Sequence, residues 1–443
     1  MNKKLVGIFI MILLIGTTIP AMGIMNCCIK EIKLTSKYNP LDGGWIEDIN
    51  GVKILHVNGT HYEMGYQHGY LLKDAIQENM RAFYWLYEHE GWTYSDVLEV
   101  WNVQEYFIPD VYKQEMQGMA DGAGLSYEKI VVHNMWVGVF NHLFSCWGAA
   151  LWGNATEFGN LLHMRSVDGM NYIKDIQTDT YLYENQVIII RDPLGAYSSI
   201  APIFAGDIVV IGGFNENGVG VSELTVIGED TTFNGVNAGI RMRMVLDYAD
   251  NGFEAVDIMN SNRTCCWNFI ISDGLKPIGF AIEQSANFAY TNTWYDSVES
   301  NEPFWAIKQV VRRGNFYINP IMASLERKYY DPSGIKGYMR MIFRIDYKFI
   351  NWIQYKGISE EIEKKYGVIN SLSALGLLRE VYQGKTNLMF RLLLTDKSDT
   401  ARQWVGDLES GDLSICFANA DNEAYRNIIH TFNFFDLLNS EPP

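Results

Sequence analysis

Apolar and polar positions change period several times along the chain, and each change predicts a new element. Val52 to Val57 is bracketed by Asp42-Gly43-Gly44 and Asn58-Gly59-Thr60, which predicts a strand between turns. From Tyr62 to about Trp101 the spacing is helical, with Met64, Leu71, Leu72, Ile76, Met80, Phe83 and Leu86 on one side. A further helix is predicted around Tyr112 to Met119. Between Leu151 and Val226 the texture becomes short β-rich runs, such as Gln186 to Ile190 and Ile208 to Ile211, punctuated by glycines. Helices return over Ile240 to Asp250 and Glu254 to Asn260, followed by strands Trp267 to Ser272 and Ile278 to Gln284. Helical spacing dominates from Phe304 to about Tyr382, and Phe390 to Thr395 and Leu413 to Phe417 read as closing strands. Without a repeat or a Pro- or Ser-rich linker, this order predicts one mixed α and β domain with a helical N-terminal part.

The longest apolar run stands at the start. Lys3 and Lys4 precede Leu5 to Met25, which carries no charge. This is the pattern of an export signal (residues 1–25) removed near Ala21 to Gly23, or of an uncleaved anchor that leaves the protein attached to the membrane through residues 5–25. Either places the remainder outside the cytoplasm. Cys27 and Cys28 follow, but Ile24, Met25 and Asn26 make a poor lipoprotein box. Export gives meaning to three glycosylation acceptors, at Asn58, Asn154 and Asn262, each followed two residues later by Thr.

Composition narrows the classes further. With 443 residues, 48% hydrophobic and 20% charged, the chain can bury a large core, which excludes disorder, a coiled coil and a small disulfide scaffold. Its 52 acidic against 35 basic residues give a net charge of −17, which repels a phosphate backbone and argues against nucleic acid as a partner.

Several signatures are missing. There is no HExxH, CxxC pair or GxSxG, and Gly384-Lys385-Thr386 lacks the earlier glycine of a P-loop. Gly218-Val219-Gly220 lacks the third glycine of a dinucleotide loop. His61, Glu63 and His68 fit neither one helix face nor a metal-ligand spacing, so neither a metal nor a cofactor is expected.

Cys146 differs from the other five cysteines. Cys27 with Cys28 and Cys265 with Cys266 are adjacent pairs, and Cys416 sits in a hydrophobic closing strand. Cys146, in Phe144-Ser145-Cys146-Trp147-Gly148, marks the boundary between the helical part and the β-rich body. It reads as a small buried hydrophobe, as half of a disulfide or as a nucleophile. If Cys146 is free, the other five cysteines form at most two bridges. Trp147, Trp152, Trp294 and Tyr295 nearby suit either an acyl chain or a core.

Several segments together resemble one family. Gly59-Thr60-His61-Tyr62-Glu63-Met64-Gly65-Tyr66-Gln67-His68-Gly69 is similar to the opening motif of the acyl-CoA:6-aminopenicillanate acyltransferase (isopenicillin-N acyltransferase-like) family of N-terminal-nucleophile (Ntn) cysteine hydrolases. Gln117 to Ser126, closing on His133-Asn134, resembles the stretch before its nucleophile. Arg165-Ser166-Val167-Asp168, Gly213 to Val219, Asn268 to Asp273 with Glu283, and Thr291-Asn292 follow in the family's order. The likeness covers most of residues 50 to 300, and phospholipase B-like proteins share the general fold.

The resemblance implies an α+β fold, a four-layer αββα sandwich with a helical N-terminal part. It also implies self-cleavage at Ser145-Cys146, giving an N-terminal segment 26–145 after signal removal and a body 146–443 of 298 residues, as 443 minus 145. The freed Cys146 amine, which titrates near pH 8, would serve as the base for its own thiol. The thiolate would then attack an acyl carbonyl to form a thioester, resolved by water or an acceptor amine. Asp168 is expected to hold the new ammonium, Arg165 to orient Asp168 or the thiolate or to form a structural ion pair, and Asn292 to donate to the oxyanion. In a regular strand Arg165 and Asp168 point to opposite faces, so one shared site requires a bulge or turn. Asn215 and Glu216 are expected to shape a turn with Gly218.

Departures from the pattern leave alternatives open. Ser145 stands where the family has Gly, Trp147 where it has Ser or Thr, Gly169 where an aromatic is common, and Thr293 in place of a histidine. The first reading is an exported, self-processing amidohydrolase or acyltransferase acting on an amide or peptide-like bond with an acyl portion, in a small acyl-amide substrate. The alternatives are a phospholipase B-like hydrolase of lipid-like substrates and a non-catalytic glycosylated surface or binding protein that keeps the fold.

Overall fold

The computed structural model describes residues 39–140, 145–326, 331–343, 345, 348–385 and 399–443. The N-terminal apolar run, Cys27, Cys28 and the expected strand Phe390 to Thr395 lie outside the described residues. Residues 40–443 form one compact unit. Among the described residues no helix is long and apolar enough to cross a membrane.

The strands in chain order are β1 (Trp45–Ile49), β2 (Val52–Gly59), β3 (Ser145–Leu151), β4 (Leu162–Asp168), β5 (Lys174–Asp175), β6 (Thr180–Tyr181), β7 (Gln186–Pro193), β8 (Ser199–Phe204), β9 (Gly212–Asn215), β10 (Val219–Thr225), β11 (Trp267–Asp273), β12 (Ile278–Gln284), β13 (Ala289–Asn292), β14 (Val310–Arg313), β15 (Thr400–Asp407), β16 (Asp412–Phe417) and β17 (His430–Asn433). One nine-stranded sheet has the order β1-β2-β7-β8-β9-β10-β11-β12-β13, and a six-stranded sheet has the order β14-β3-β4-β15-β16-β17. Pairing is antiparallel throughout except where β2 meets β7.

The helices are α1 (His61–Leu71), α2 (Lys73–His89), α3 (Tyr94–Gln104), α4 (Asp110–Ala123), α5 (Tyr127–His133), α6 (Trp136–Val139), α7 (Ala238–Tyr248), α8 (Gly252–Asn260), α9 (Pro320–Ala323), α10 (Ile335–Ile342), α11 (Lys348–Lys364) and α12 (Ser371–Tyr382), with a short turn of helix at Phe434–Leu438. The single helical stretch expected over Tyr62 to Trp101 is three helices. Thr93 and Asp96 form a reciprocal capping box that starts α3, and Gly91 turns the chain at φ +82°.

Side chains along the strands divide between two cores by the period of two. On β3, Cys146 and Ala150 face the other sheet, whereas Trp147, Ala149 and Leu151 face α11 and α12. On β11, Ile270 faces the six-stranded sheet, whereas Trp267, Phe269 and Ile271 pack under the helices of the opposite side. Helices α7 and α8 thus cover one sheet and α11 and α12 the other. This is the α+β, four-layer αββα arrangement.

Two expectations need correction. Ile208 to Ile211 is a buried loop before β9, because its neighbours pack around it without a paired ladder. The stretch after Phe304 begins with strand β14 before its helices, since Val310 to Arg313 pairs with Leu151 to Gly148.

The segments carrying the first two motif likenesses meet in space. Thr60 and Glu63 cap α1 reciprocally, and α1 then lies along α4 with glycines in both contact rows. A Cβ added at Gly65 would come within 1.9 Å of Glu115 O, and one at Gly69 within 2.2 Å of Met119 O. From the other side, Gly118 faces Tyr62 O and Gly122 faces Tyr66 O, at 2.0 and 2.2 Å. The backbones therefore approach as closely as only glycine permits.

Candidate active site

Cys146 is the second residue of β3 and lies between the sheets, 2% exposed. Its neighbour across β4 is Val167, and its register continues without a shift from Ser145↔Asp168 to Leu151↔Leu162. β4 is therefore a regular strand, and the register shift in this sheet falls on its other side, between Thr400 and Arg402. Arg165 and Asp168 accordingly point to opposite faces.

Arg165 points inward. Its Nη2 lies 3.0 Å from Cys146 Sγ and donates at 2.8 Å to Glu223 Oε1 on β10, so the arginine joins the two sheets beneath the thiol. All three side chains are buried. Burial pushes the Cys146 thiol up to about 12, against the pull of the Arg165 charge. Burial also raises the Glu223 carboxyl, again opposed by Arg165. The guanidinium stays charged because the thiol and Glu223 outweigh the burial that opposes it.

Asp168 points outward toward α12. Its Oδ1 accepts from Thr400 Oγ1 at 2.7 Å and Ser166 Oγ at 3.0 Å, and its Oδ2 accepts from Tyr382 OH at 2.8 Å. Burial raises this carboxyl, and the three donors pull it back. The Cys146 backbone N–H goes elsewhere, to Asn315 Oδ1 at 2.6 Å. Asn315 follows β14 and is itself fixed by donating to Thr225 O at 2.9 Å and Thr225 Oγ1 at 2.8 Å. Ser145 Oγ lies 3.0 Å from Asn351 Oδ1 on α11.

Asn292 has other partners. It donates to Glu299 Oε1 at 2.5 Å and accepts from Arg313 Nη2 at 3.0 Å, within a buried cluster where Arg313 also pairs with Glu283 and Glu299. The structure thus brings Arg165 to Cys146 and sets Asp168 and Asn292 in separate hydrogen-bond networks. Glu223, Asn315 and Tyr382 were not singled out from sequence. Glu223, between Ser222 and Leu224 on β10, carried one signal, an acid inside an apolar strand.

Other sequence candidates have structural partners. His61 Nδ1 lies 2.6 Å from Glu115 Oε2, Glu63 caps Thr60, and His68 Nε2 accepts from Gly206 N at 3.0 Å. Among the described residues no cluster of His, Cys, Asp and Glu could hold a metal. Asn215 closes the turn before Gly218 by accepting from Asn217 N and Val219 N. Cys146, Cys265, Cys266 and Cys416 are all free and buried. Trp147 and Trp152 are buried, whereas Tyr295 is 70% exposed. Asn154 and Asn262 are exposed, and Asn58 Nδ2 donates to Gly43 O.

The site belongs to a two-sheet sandwich with a buried cysteine at the start of an inner strand and an arginine from the neighbouring strand on its sulfur. No family model matches the chain. An uncharacterized protein of Archaeoglobus fulgidus is 25% identical over 325 residues, 63% of this chain and 53% of that protein. Protein dcd1B of Dictyostelium discoideum is 27% identical over 250 residues, 49% of this chain and 47% of its own length. The chain spans about half the length of the curated relatives it matches.

Among solved structures, a Caenorhabditis elegans ortholog of N-acylethanolamine-hydrolyzing acid amidase is 14% identical, covering 59% of this chain and 93% of its own, with a TM-score of 0.36. A variant of conjugated bile acid hydrolase from Clostridium perfringens is 14% identical, covering 67% and 95%, with a TM-score of 0.40. Penicillin V acylase from Agrobacterium tumefaciens is 13% identical, covering 62% and 83%, with a TM-score of 0.34. Likenesses this slight define no substrate.

Proposed function

We propose that the protein is a self-processing cysteine hydrolase or acyltransferase that acts on an amide bond bearing an acyl group, through a thioester on Cys146. The observation that carries this reading is the Arg165 guanidinium 3.0 Å from the Cys146 sulfur, held there by Glu223. A cation on a buried thiol favours the thiolate, the form that attacks a carbonyl.

In the uncut chain the thiol is protonated, and the Cys146 nitrogen is an amide that cannot act as a base. Cleavage of the Ser145–Cys146 bond turns that nitrogen into an amine, which takes the thiol proton as the sulfur attacks. Asn315 Oδ1, already on this nitrogen at 2.6 Å, then orients it. The acyl carbon passes to sulfur as the amine leaving group departs with the proton held on the Cys146 amine, and water or an acceptor amine then releases the acyl group and restores the thiol. Export, with the N-terminal run as signal or anchor, is part of the same reading.

Intact mass and a denaturing gel test it. Two chains that divide before Cys146, with the body 298 residues long as 443 minus 145, are expected. Cys146→Ala is expected to remain one chain and to lose turnover of acyl-amides. A wild-type chain that stays uncut, or a Cys146→Ala variant that keeps its activity, overturns the mechanism.

A further inference from the structure

Arg402 stands in the same row of the six-stranded sheet as Cys146. Cys146 pairs with Val167 and Val167 pairs with Arg402, so all three side chains leave one face, the face between the sheets. Two strand spacings, about 10 Å, separate the cysteine backbone from that of the arginine. Arg402 then crosses the sandwich. Its Nη1 donates at 3.0 Å to Oε1 of Gln186, the first residue of β7, and its guanidinium lies 4.7 Å from the ring centre of Phe204, the last residue of β8. Gln186 is fixed in turn, because its Nε2 donates to Tyr183 O and Ala401 O at 3.2 Å each.

The remaining edge of this guanidinium has no acceptor. Arg402 is buried, and among the described residues neither Nε nor Nη2 meets a hydrogen-bond partner. Those two nitrogens share one edge, the edge that Arg81 turns to Asp175. It is the fork that takes both oxygens of a carboxylate. Donors buried without acceptors are costly, so their persistence points to a ligand. The two carboxylates whose charges favour the guanidinium have other partners. Glu223 pairs with Arg165, and Asp207 lies 3.1 Å from Trp136 Nε1 and 3.2 Å from His133 Nε2. Burial pulls Arg402 down to about 9, against the pull of Asp207, so it stays charged at neutral pH. A single buried cation matches the one charge of a carboxylate better than the nearly two of a phosphate monoester.

We propose that Arg402 receives a carboxylate of the substrate, which makes the substrate an acyl-amide with one negative charge several bonds from the carbonyl that Cys146 attacks. The role in turnover rests on the Cys146 reading above, whereas the capture of a carboxylate by Arg402 does not. Arg402 is thus a residue of specificity, placed beside the reaction and taking no part in the bond changes. The carboxylate belongs either to the acyl portion or to the amine portion, and substrates of both kinds tell them apart.

Two measurements on the full chain test the proposal. In the first, melting curves are recorded with increasing glutarate, or with its uncharged analogue glutaramide, at constant ionic strength. Glutarate is expected to raise the melting temperature saturably and glutaramide not to, with the rise lost in Arg402→Gln and partly kept in Arg402→Lys. In the second, turnover of glutaryl-p-nitroanilide is compared with that of pentanoyl-p-nitroanilide, and turnover of N-pentanoylglycine with that of N-pentanoyl-ethylamine. One of these pairs is expected to favour its charged member by about tenfold or more in kcat/KM, chiefly through KM, and Arg402→Gln to erase that preference. A merely structural arginine would lower both members of a pair alike. The proposal is overturned if glutarate gives no shift that depends on Arg402, or if the charge preference is absent or survives in Arg402→Gln. Glutarate binding through Arg402 with no turnover of any of the four substrates would keep the carboxylate site and sink the Cys146 reading instead.

Discussion

Arg165 reaches the Cys146 sulfur from the adjacent strand at 3.0 Å, and the contact is possible because β4 runs beside β3 without a bulge. The same regularity turns Asp168 away, toward Tyr382 and Thr400.

Arg165→Met removes the ion-pair partner of Glu223 and leaves a buried carboxyl facing the thiol. Breaking such a pair from one side costs about 3–5 kcal/mol. A lower melting temperature and slower alkylation of Cys146 are expected. Glu223→Gln keeps the shape and is expected to lose less stability, which differential scanning fluorimetry compares directly.

Asn315→Ala takes the acceptor from the Cys146 nitrogen and frees Thr225 from its bridge. Slower appearance of the two-chain form is expected, by on the order of tenfold if one hydrogen bond of about 1.4 kcal/mol is lost at the barrier. Pulse-labelled processing followed on a denaturing gel gives the rate.

The pH dependence of the thiol has a definite sign. In the uncut chain burial raises the Cys146 thiol from 9.0 to about 12, so it keeps its proton through neutrality. Alkylation of the uncut chain is expected to climb with pH through the alkaline range without levelling near 9. The unfolded chain loses this proton first, so the contribution to stability present below pH 9 is lost as pH rises toward 12. Peptide-level alkylation across a pH series measures the first effect.

His68 and His163 work at the other end of the scale. Burial lowers each from 6.5 to about 3, so both are neutral in the folded state. Between these values the unfolded chain binds the extra protons. Stability present above pH 6.5 is therefore lost as pH falls toward 3, by at most about 1.4 kcal/mol per pH unit for each histidine. Melting curves from pH 7 to 4 are expected to show the decline, and His163→Gln to make it shallower.

The glycine rows of α1 and α4 predict unequal costs for one substitution. Gly65→Ala and Gly118→Ala drive a methyl into the facing backbone and are expected to destabilise by at least about 1–3 kcal/mol. Gly376→Ala on α12 meets nothing within 4 Å and is expected to stabilise by about 0.5–1 kcal/mol. Urea unfolding of the three variants orders them.

Much of the larger sheet could be read along the chain, because Gln186 to Ile190, Trp267 to Ser272 and Ile278 to Gln284 are long β-rich runs between turns. The inner strands of the smaller sheet were harder to read. Trp147-Gly148-Ala149-Ala150 is buried on both faces and shows no alternation, so β3 looks like any apolar stretch. Cys146 stood out by its place at a change of texture, and Arg165 by its motif. Asn315, 169 residues away from Cys146, became a neighbour only through the pairing of β14 with β3, a relation that no local spacing encodes.

Strands β1 and β2 precede Cys146, yet they form the edge of the nine-stranded sheet through the parallel pairing of β2 with β7. A cut at Ser145–Cys146 would therefore produce two chains woven into one fabric. They would migrate together on a native column, neither would be expected to refold in isolation, and the nick would change what the sulfur can do while leaving the protein's size and shape as they were.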